Sequence, residues 1–154
     1  MFKLSSRSLG KLEGVNPVLV DTVKRAIELT KVDFGVIFGV RSLETQKKLY
    51  ESKRSQTMKS KHLIQPDGTA HAVDLMAYDG SDPSWEMAMY DDIADAMKAA
   101  AKEKGAKIRW GAAWTVDNIA EWDGTMQEAM NDYIDIRRKS GRTPFIDGPH
   151  FELN

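Results

Sequence analysis

All three histidines of the 154-residue chain lie in two short segments that also carry aspartates, residues 60–74 and 147–151. The candidate residues are His62, His71 and Asp74 in the first segment, and Asp147 and His150 in the second. Two imidazoles and one carboxylate form a ligand set for a catalytic zinc ion, with the fourth position left to water. The two segments therefore predict a catalytic Zn²⁺ site.

The spacing within the first segment limits which residues can share one ion. Small, β-branched and apolar residues at positions 70–78 predict a strand. Side chains alternate between the faces of a strand, so His71 and Asp74 are expected to point to opposite faces. One ion would then not easily bind both. This leaves His62 and His150 as the imidazole partners of Asp74, and gives His71 a supporting or structural role.

Asp147 precedes His150 by three residues, across Gly148 and Pro149. Proline fixes its own φ and biases the preceding residue towards an extended backbone, so this turn is expected to be rigid. It can hold the Asp147 carboxylate beside the metal without making it a ligand. A carboxylate there is placed to take a proton from water that the metal activates. Residues of these types, taken singly, are more often surface, core or turn residues, and no HExxH helix or cysteine cluster accompanies them.

These motifs resemble those of the LAS group of zinc peptidases, named after lysostaphin, the D-Ala-D-Ala metallopeptidases and sonic hedgehog. The likeness rests on Ser60-x-His62, on Ala70-His-Ala-Val-Asp74 and on Asp147-Gly-Pro-His150-Phe-Glu-Leu, with further matching stretches at 9–29, 36–42 and 109–114. Within the group, the chain is most similar to phage L-alanyl-D-glutamate endopeptidases, lysis enzymes that cut peptidoglycan stem peptides. The resemblance covers nearly the whole chain.

The resemblance implies roles for individual residues. The implied zinc ligands are His62, Asp74 and His150, the implied general base is Asp147, and the implied substrate contacts are Arg41 and Ser60. Arg41 would also stabilise the developing oxyanion, because a guanidinium can meet a carboxylate or a tetrahedral oxyanion in a fixed fork. The alternative for Arg41 is a surface residue at the end of a strand.

The implied activity is zinc-dependent cleavage of the L-Ala–D-Glu bond of peptidoglycan stem peptides in phage-induced host lysis. One alternative is a D,D-carboxypeptidase of the same group. Another, from a different class, is a zinc-containing wall-binding module without turnover. The presence of Asp147 argues against that module, since loss of the base would be the simplest route to it.

The chain departs from the family pattern at two places. The family spacing Ser-x-His-x-x-Gly-x-Ala-x-Asp is shorter than the spacing here, where residues 63–73 separate the first histidine from the aspartate. We expect an inserted loop at about 64–69, which leaves the ligands in place but changes the rim of the pocket. The second departure is the long segment 115–146, which we expect to shape substrate access or contact the wall.

Length, composition and charge narrow the possible classes of protein and its place in the cell. The length fits one peptidase domain over residues 1–154, and 42% hydrophobic with 29% charged residues is ordinary for a globular protein. A net charge of −1 argues against generic nucleic-acid binding. No apolar run approaches the roughly 20 residues of a membrane span, and the first residues lack the apolar core of a signal peptide. We expect a monomer made in the host cytoplasm that reaches the wall through a separate membrane pore.

The elements that must position the site predict an α+β fold of the LAS zinc-peptidase type, with a small, mainly antiparallel sheet and packed helices. Helices are predicted after caps at Asn16, Ser84 and Thr125 and over residues 42–53. Strands are predicted at 33–40, 70–78, 106–110 and 150–153, and an irregular lead-in at 1–15. The last strand is expected to bring His150 back beside the strand of Asp74.

Overall fold

The computed structural model describes residues 1–55 and 57–154. Within these ranges it contains five α-helices and five β-strands, which confirms the predicted α+β class. The helices are α1 (Ser6–Lys11), α2 (Pro17–Leu29), α3 (Leu43–Glu51), α4 (Met87–Lys104) and α5 (Met126–Lys139), with a 3-10 turn at Ile119–Glu121. The strands are β1 (Asp33–Phe38), β2 (Ala72–Asp79), β3 (Asp82–Ser84), β4 (Ile108–Trp110) and β5 (His150–Leu153).

The sheet has the order β1-β2-β5-β4, and β3 forms a hairpin with β2. Every pairing between these strands is antiparallel, as predicted. The last strand lies beside the strand of Asp74, also as predicted, with Asp74 opposite His150 and Ala72 opposite Glu152. This register fixes the site, because directly opposed residues in an antiparallel pair point to the same face.

One face of the sheet packs against the helices and forms the hydrophobic core. Val73, Leu75, Trp110 and Phe151 are fully buried, and α4 packs against both β2 and α2. Successive side chains of a strand alternate, so Asp74, between Val73 and Leu75, must point to the other face. The apolar alternation that builds the core therefore also directs the candidate ligands out of it.

Three of the predicted helix starts are confirmed by their caps. The Asn16 side chain accepts a hydrogen bond from the Val18 amide, and Ser42 accepts one from the Thr45 amide. Thr125 and Glu128 form the reciprocal capping box that opens α5.

Two local predictions were wrong. Residues 6–11 form α1 rather than an irregular lead-in; Ser5 caps this helix, and the Ser8 hydroxyl accepts a hydrogen bond from the Val36 amide of β1. Ser84 does not cap α4, because it pairs with Ala77 in β3, and the helix begins at Met87 with no side-chain cap. In both cases a contact with the sheet outweighs the local signal.

The loop predicted as an insertion is short, and backbone pairing between its two ends closes it. Ile64 and Ala70 form an antiparallel bridge across it. At its tip, Asp67 accepts hydrogen bonds from the Thr69 amide and hydroxyl and lies 2.8 Å from Nε2 of His71. Thus His71 anchors this loop to the start of β2.

Candidate active site

His62, Asp74 and His150 are brought together on the face of the sheet opposite the core. One donor atom from each residue lies within 4.8 Å of the others. Asp74 Oδ1 is 3.3 Å from His62 Nε2 and 3.1 Å from His150 Nδ1. Both histidines are buried, with 1% and 8% of their surface exposed. The three residues that the resemblance implies as ligands therefore converge on one point.

His62 is held by the chain segment that follows β1. Its Nδ1 lies 2.7 Å from the Gly39 carbonyl oxygen, and its own carbonyl accepts a hydrogen bond from the Arg41 amide. Gly39 is required there, because a Cβ atom would collide with the Lys11 carbonyl. A carbonyl only accepts, so Nδ1 carries the hydrogen and Nε2 of the neutral ring presents its lone pair to Asp74.

His150 is oriented in the corresponding way by Glu152. Its Nε2 lies 2.8 Å from Glu152 Oε1. Because the carboxylate accepts, Nε2 carries a hydrogen, and Nδ1 faces Asp74. A carboxylate that fixes the far nitrogen of a histidine is the usual support for a metal-binding imidazole.

The cluster has the chemistry of a cation site. Two imidazole nitrogens and a carboxylate oxygen face one another, and His62 Nε2 is buried without a hydrogen-bond partner. Acceptors at such distances repel unless positive charge lies among them, and buried polar atoms are rarely left unpaired. The residues present therefore fit a metal ion bound by two nitrogens and one oxygen.

Protons are favoured at the same place as a metal ion. Burial lowers the pKa of His150, but hydrogen bonds with Asp74 and Glu152 outweigh it and raise the pKa to about 10. Burial also opposes ionisation of Asp74, yet its interactions with His150 and His62 together outweigh burial and hold the pKa of Asp74 below its ordinary range. Metal and protons therefore compete for the same lone pairs.

Asp147 lies in the same cavity but outside the cluster. Its amide donates to the Gly111 carbonyl and its carbonyl accepts from the His150 amide, which fixes the turn across Gly148 and Pro149. A Cβ atom on Gly111 would collide with the Asp147 carbonyl, so this close approach needs glycine. Burial, and then the negative charge of Asp74, raise the pKa of Asp147. A carboxyl group with a raised pKa accepts a proton more readily, as a general base must.

Arg41 borders the cluster from the end of β1. Its Nη2 atom lies 3.8 Å from Asp74 Oδ2, and its Nη1 atom donates to the Gln46 side chain at 2.7 Å. Gln46 is fully buried, and its amide nitrogen donates to the Ser55 hydroxyl and the Thr57 carbonyl. Gln46 thus holds Arg41 and ties it to the loop on the cavity rim.

Ser60 lines the cavity but is not free to move. Only 9% of its surface is exposed, and its hydroxyl oxygen accepts a hydrogen bond from the His62 amide.

His71 lies apart from the cluster, bound to Asp67, which agrees with the expectation that it is not grouped with Asp74.

The cavity around the cluster has a volume of about 780 Å³. Arg41 and Asp147 border it, and Trp114 and Phe145 line it as a stacked pair with ring centroids 6.4 Å apart. Trp114 also contacts His150, with centroids 5.6 Å apart. The end of the 115–146 segment therefore meets the cavity wall, next to the candidate ligands.

Sequence reasoning missed two residues of this site. Glu152 lies two positions after His150 in β5, and the period of two that applies to strands would have placed both on one face. Gln46 gave no such signal, because a glutamine in a charged helix is usually exposed, whereas here it is buried under Arg41.

Together, the sheet, the buried cluster, the separate carboxylate and the arginine fit the class of metal-dependent hydrolases. Comparison with known proteins then gives the family. The whole chain, residues 1–154, matches the family model described as phage L-alanyl-D-glutamate peptidase, and the chain belongs to this family. It is therefore a peptidase, as predicted.

Two relatives cover almost the full chain. The L-alanyl-D-glutamate peptidase of Escherichia phage T5 is 29% identical over 157 residues, which span 99% of this chain and 98% of the relative. The crystal structure of the Serratia marcescens L-Ala D-Glu endopeptidase ChiX superposes with a TM-score of 0.72 and 31% identity, covering 99% of this chain and 90% of that one. These matches confirm the predicted fold type and family.

No helix in the described part of the chain combines the length and apolar character that crossing a membrane requires.

Proposed function

We propose that this chain is a zinc-dependent endopeptidase that cleaves the L-Ala–D-Glu bond of peptidoglycan stem peptides in phage-induced lysis, acting on the cell wall. The main support is the buried cluster of His62, Asp74 and His150 with Asp147 beside it. The family to which the chain belongs is named for cleavage of this bond. The T5 and Serratia relatives, named for the same activity, support the assignment.

The donor set favours zinc among the common metals. Two neutral imidazoles and one carboxylate, with room for a further ligand, form the usual protein contribution to a catalytic zinc site. Bound there, Zn²⁺ would act as a Lewis acid and lower the pKa of a water molecule to roughly 7. In our proposal the ligands are His62 through Nε2, His150 through Nδ1, and Asp74.

Asp147 is the proposed general base. It borders the cavity that holds the cluster, and burial and the charge of Asp74 raise its pKa. Its carboxylate takes a proton from the attacking water and passes it to the leaving amine nitrogen as the peptide bond breaks. The rigid turn across Pro149 keeps the carboxylate at the cavity without adding it to the ligand set.

Arg41 is the proposed site for negative charge on the substrate. Its side chain is partly buried beside the cluster, with 15% of it exposed, and is held on one side by Gln46. The remaining donors can bind a substrate carboxylate or the developing oxyanion. Ser60, whose hydroxyl lies at the cavity wall, is a further proposed substrate contact.

Mass spectrometry of purified peptidoglycan after incubation with the protein, with and without a zinc chelator, tests the proposal. We expect chelator-sensitive products with a new amino terminus at glutamate and with L-alanine left on the muramyl side. Released D-alanine would instead assign a D,D-carboxypeptidase. Absence of any product from folded, zinc-loaded protein would overturn the catalytic proposal and favour a wall-binding module.

A further inference from the structure

A second groove of about 750 Å³ lies beside the candidate active site, between α1, β1 and the hairpin of β2 and β3. The catalytic cavity and this groove share one wall residue, the half-exposed Phe38. Asp74, Met76 and Tyr78 lie on the same face of β2 because they alternate with core residues. Met76 and Tyr78 line the groove. At about 3.4 Å per residue, Tyr78 lies roughly 14 Å along β2 from Asp74.

The lining of the groove has an excess of positively charged side chains. Lys3, Arg7 and Lys11 line it, against a single lining carboxylate, Asp33. In the described part of the chain, none of these three cations forms an ion pair or a side-chain hydrogen bond. The whole chain has a net charge of −1, so the excess of cations is local. Such a surface attracts anionic ligands.

The groove also presents an aromatic ring. Trp85 lines it with 65% of its surface exposed. The indole stacks on Tyr90, with ring centroids 6.3 Å apart and planes 13° apart, and the Tyr90 hydroxyl is fixed by the Ser84 carbonyl and the Ala77 amide. A large ring held from one side and open on the other is a platform for another flat or ring-shaped group, at low cost in conformational entropy.

We propose that this groove binds a part of the peptidoglycan polymer next to the stem peptide being cleaved, with a sugar ring on Trp85 and stem-peptide carboxylates at Lys3, Arg7 and Lys11. The inference rests on the proposed function, because that function makes an anionic glycopeptide polymer the substrate. A polymer held at two adjacent sites is bound more tightly than at one, since the second contact is intramolecular. The groove thus raises affinity for intact wall without taking part in the chemistry.

The test compares a glycan-free peptide containing L-Ala-D-Glu with intact sacculi that have been stripped of other anionic polymers. The groove variants are Trp85→Ala and the double change Arg7→Gln with Lys11→Gln, and a charge-matched control replaces Lys24 and Lys102, which are exposed elsewhere. We expect the groove variants to hydrolyse the peptide at the parent rate but sacculi about tenfold more slowly at limiting substrate, the size expected for loss of a central aromatic or arginine contact. The control and Trp85→Phe should retain activity on both substrates.

Binding is measured separately by co-sedimentation of the sacculi with protein that carries Asp147→Asn, so that the ligand is not degraded. The groove variants should sediment about tenfold less well in this background. Unchanged action on sacculi, or an equal loss on peptide and sacculi, would overturn the proposed groove. Failure of the unaltered protein to cut either substrate would instead contradict the proposed function. Co-sedimentation alone would then test whether the groove binds the sacculi.

Discussion

Asp74 and His150 lie directly opposite each other on neighbouring antiparallel strands, and His150 Nδ1 is 3.1 Å from Asp74 Oδ1. The two residues are separated by 76 positions in the chain, so only the pairing of β2 with β5 brings them together. A shift of one residue in this pairing would turn one of the two side chains towards the core. The register of the sheet is therefore the main determinant of the candidate metal site.

Replacing the proposed base should separate chemistry from metal binding. We expect Asp147→Asn to lower kcat by about 10²- to 10⁴-fold, while zinc content and the thermal unfolding temperature stay close to those of the parent. The reason is that Asp147 contacts the cavity but is not among the three converging residues. Metal analysis, calorimetry and peptide hydrolysis on one preparation measure all three. A variant that still turns over at the parent rate would refute the assignment of the base.

Glu152 should set the metal affinity through His150. Glu152→Ala removes the acceptor that lies 2.8 Å from His150 Nε2 and frees the ring to rotate, so zinc affinity should fall about 10- to 100-fold. Glu152→Gln is the matched control, because its amide oxygen still accepts that hydrogen bond. Competition with a chromogenic chelator measures the affinity. Equal affinities for the alanine variant and the parent would exclude this role.

The metal-free protein should lose stability as the pH rises. The folded-state pKa of His150, about 10, is above its ordinary value of 6.5. Its contribution to stability is therefore fully present below about pH 6.5 and is lost as the pH rises towards about 10. Unfolding temperatures of chelated protein across this window should fall, and those of zinc-loaded protein should fall less, because a bound imidazole carries no extra proton. A flat profile for the chelated protein would contradict the protonated cluster.

Gln46 should position Arg41 for substrate. Gln46→Met removes the hydrogen bond to Arg41 and the hydrogen bond to the Thr57 carbonyl, which keeps only its bond from the Ser55 hydroxyl. We therefore expect a loss of about 1–3 kcal/mol in unfolding free energy and a higher KM. Gln46→Glu retains the acceptor for Arg41 and should preserve KM better than Gln46→Met. Urea unfolding and steady-state kinetics give the two quantities. If both variants had the same KM as the parent, Gln46 would be a packing residue only.

The parts of the structure that were predictable have strong local signals. The caps at Asn16 and Thr125 and the alternation around Asp74 each depend on residues near in sequence. Alternation also excluded His71 as a partner of Asp74. The two remaining histidines, His62 and His150, lie beside Asp74 in the fold.

The parts that were missed depend on distant contacts. Helix α1 has only six residues, too short to be stable by itself, and it is held by the bond between Ser8 and Val36. Ser84 is of a residue type that commonly caps helices, but it pairs with Ala77 in the hairpin of β2 and β3. The burial of Gln46 depends on how Arg41 and the rim loop fold over it. None of these contacts is encoded by spacing along the chain.

The most direct test of the account is a zinc titration of chelated protein in which metal binding and cleavage of an L-Ala-D-Glu peptide are followed together. We expect activity to return in proportion to bound zinc and to saturate at one ion per chain. We also expect His62→Ala and Asp74→Asn to lose both the tight site and the activity. Full activity in the chelated protein, or tight binding of one zinc ion by both variants, would contradict the account.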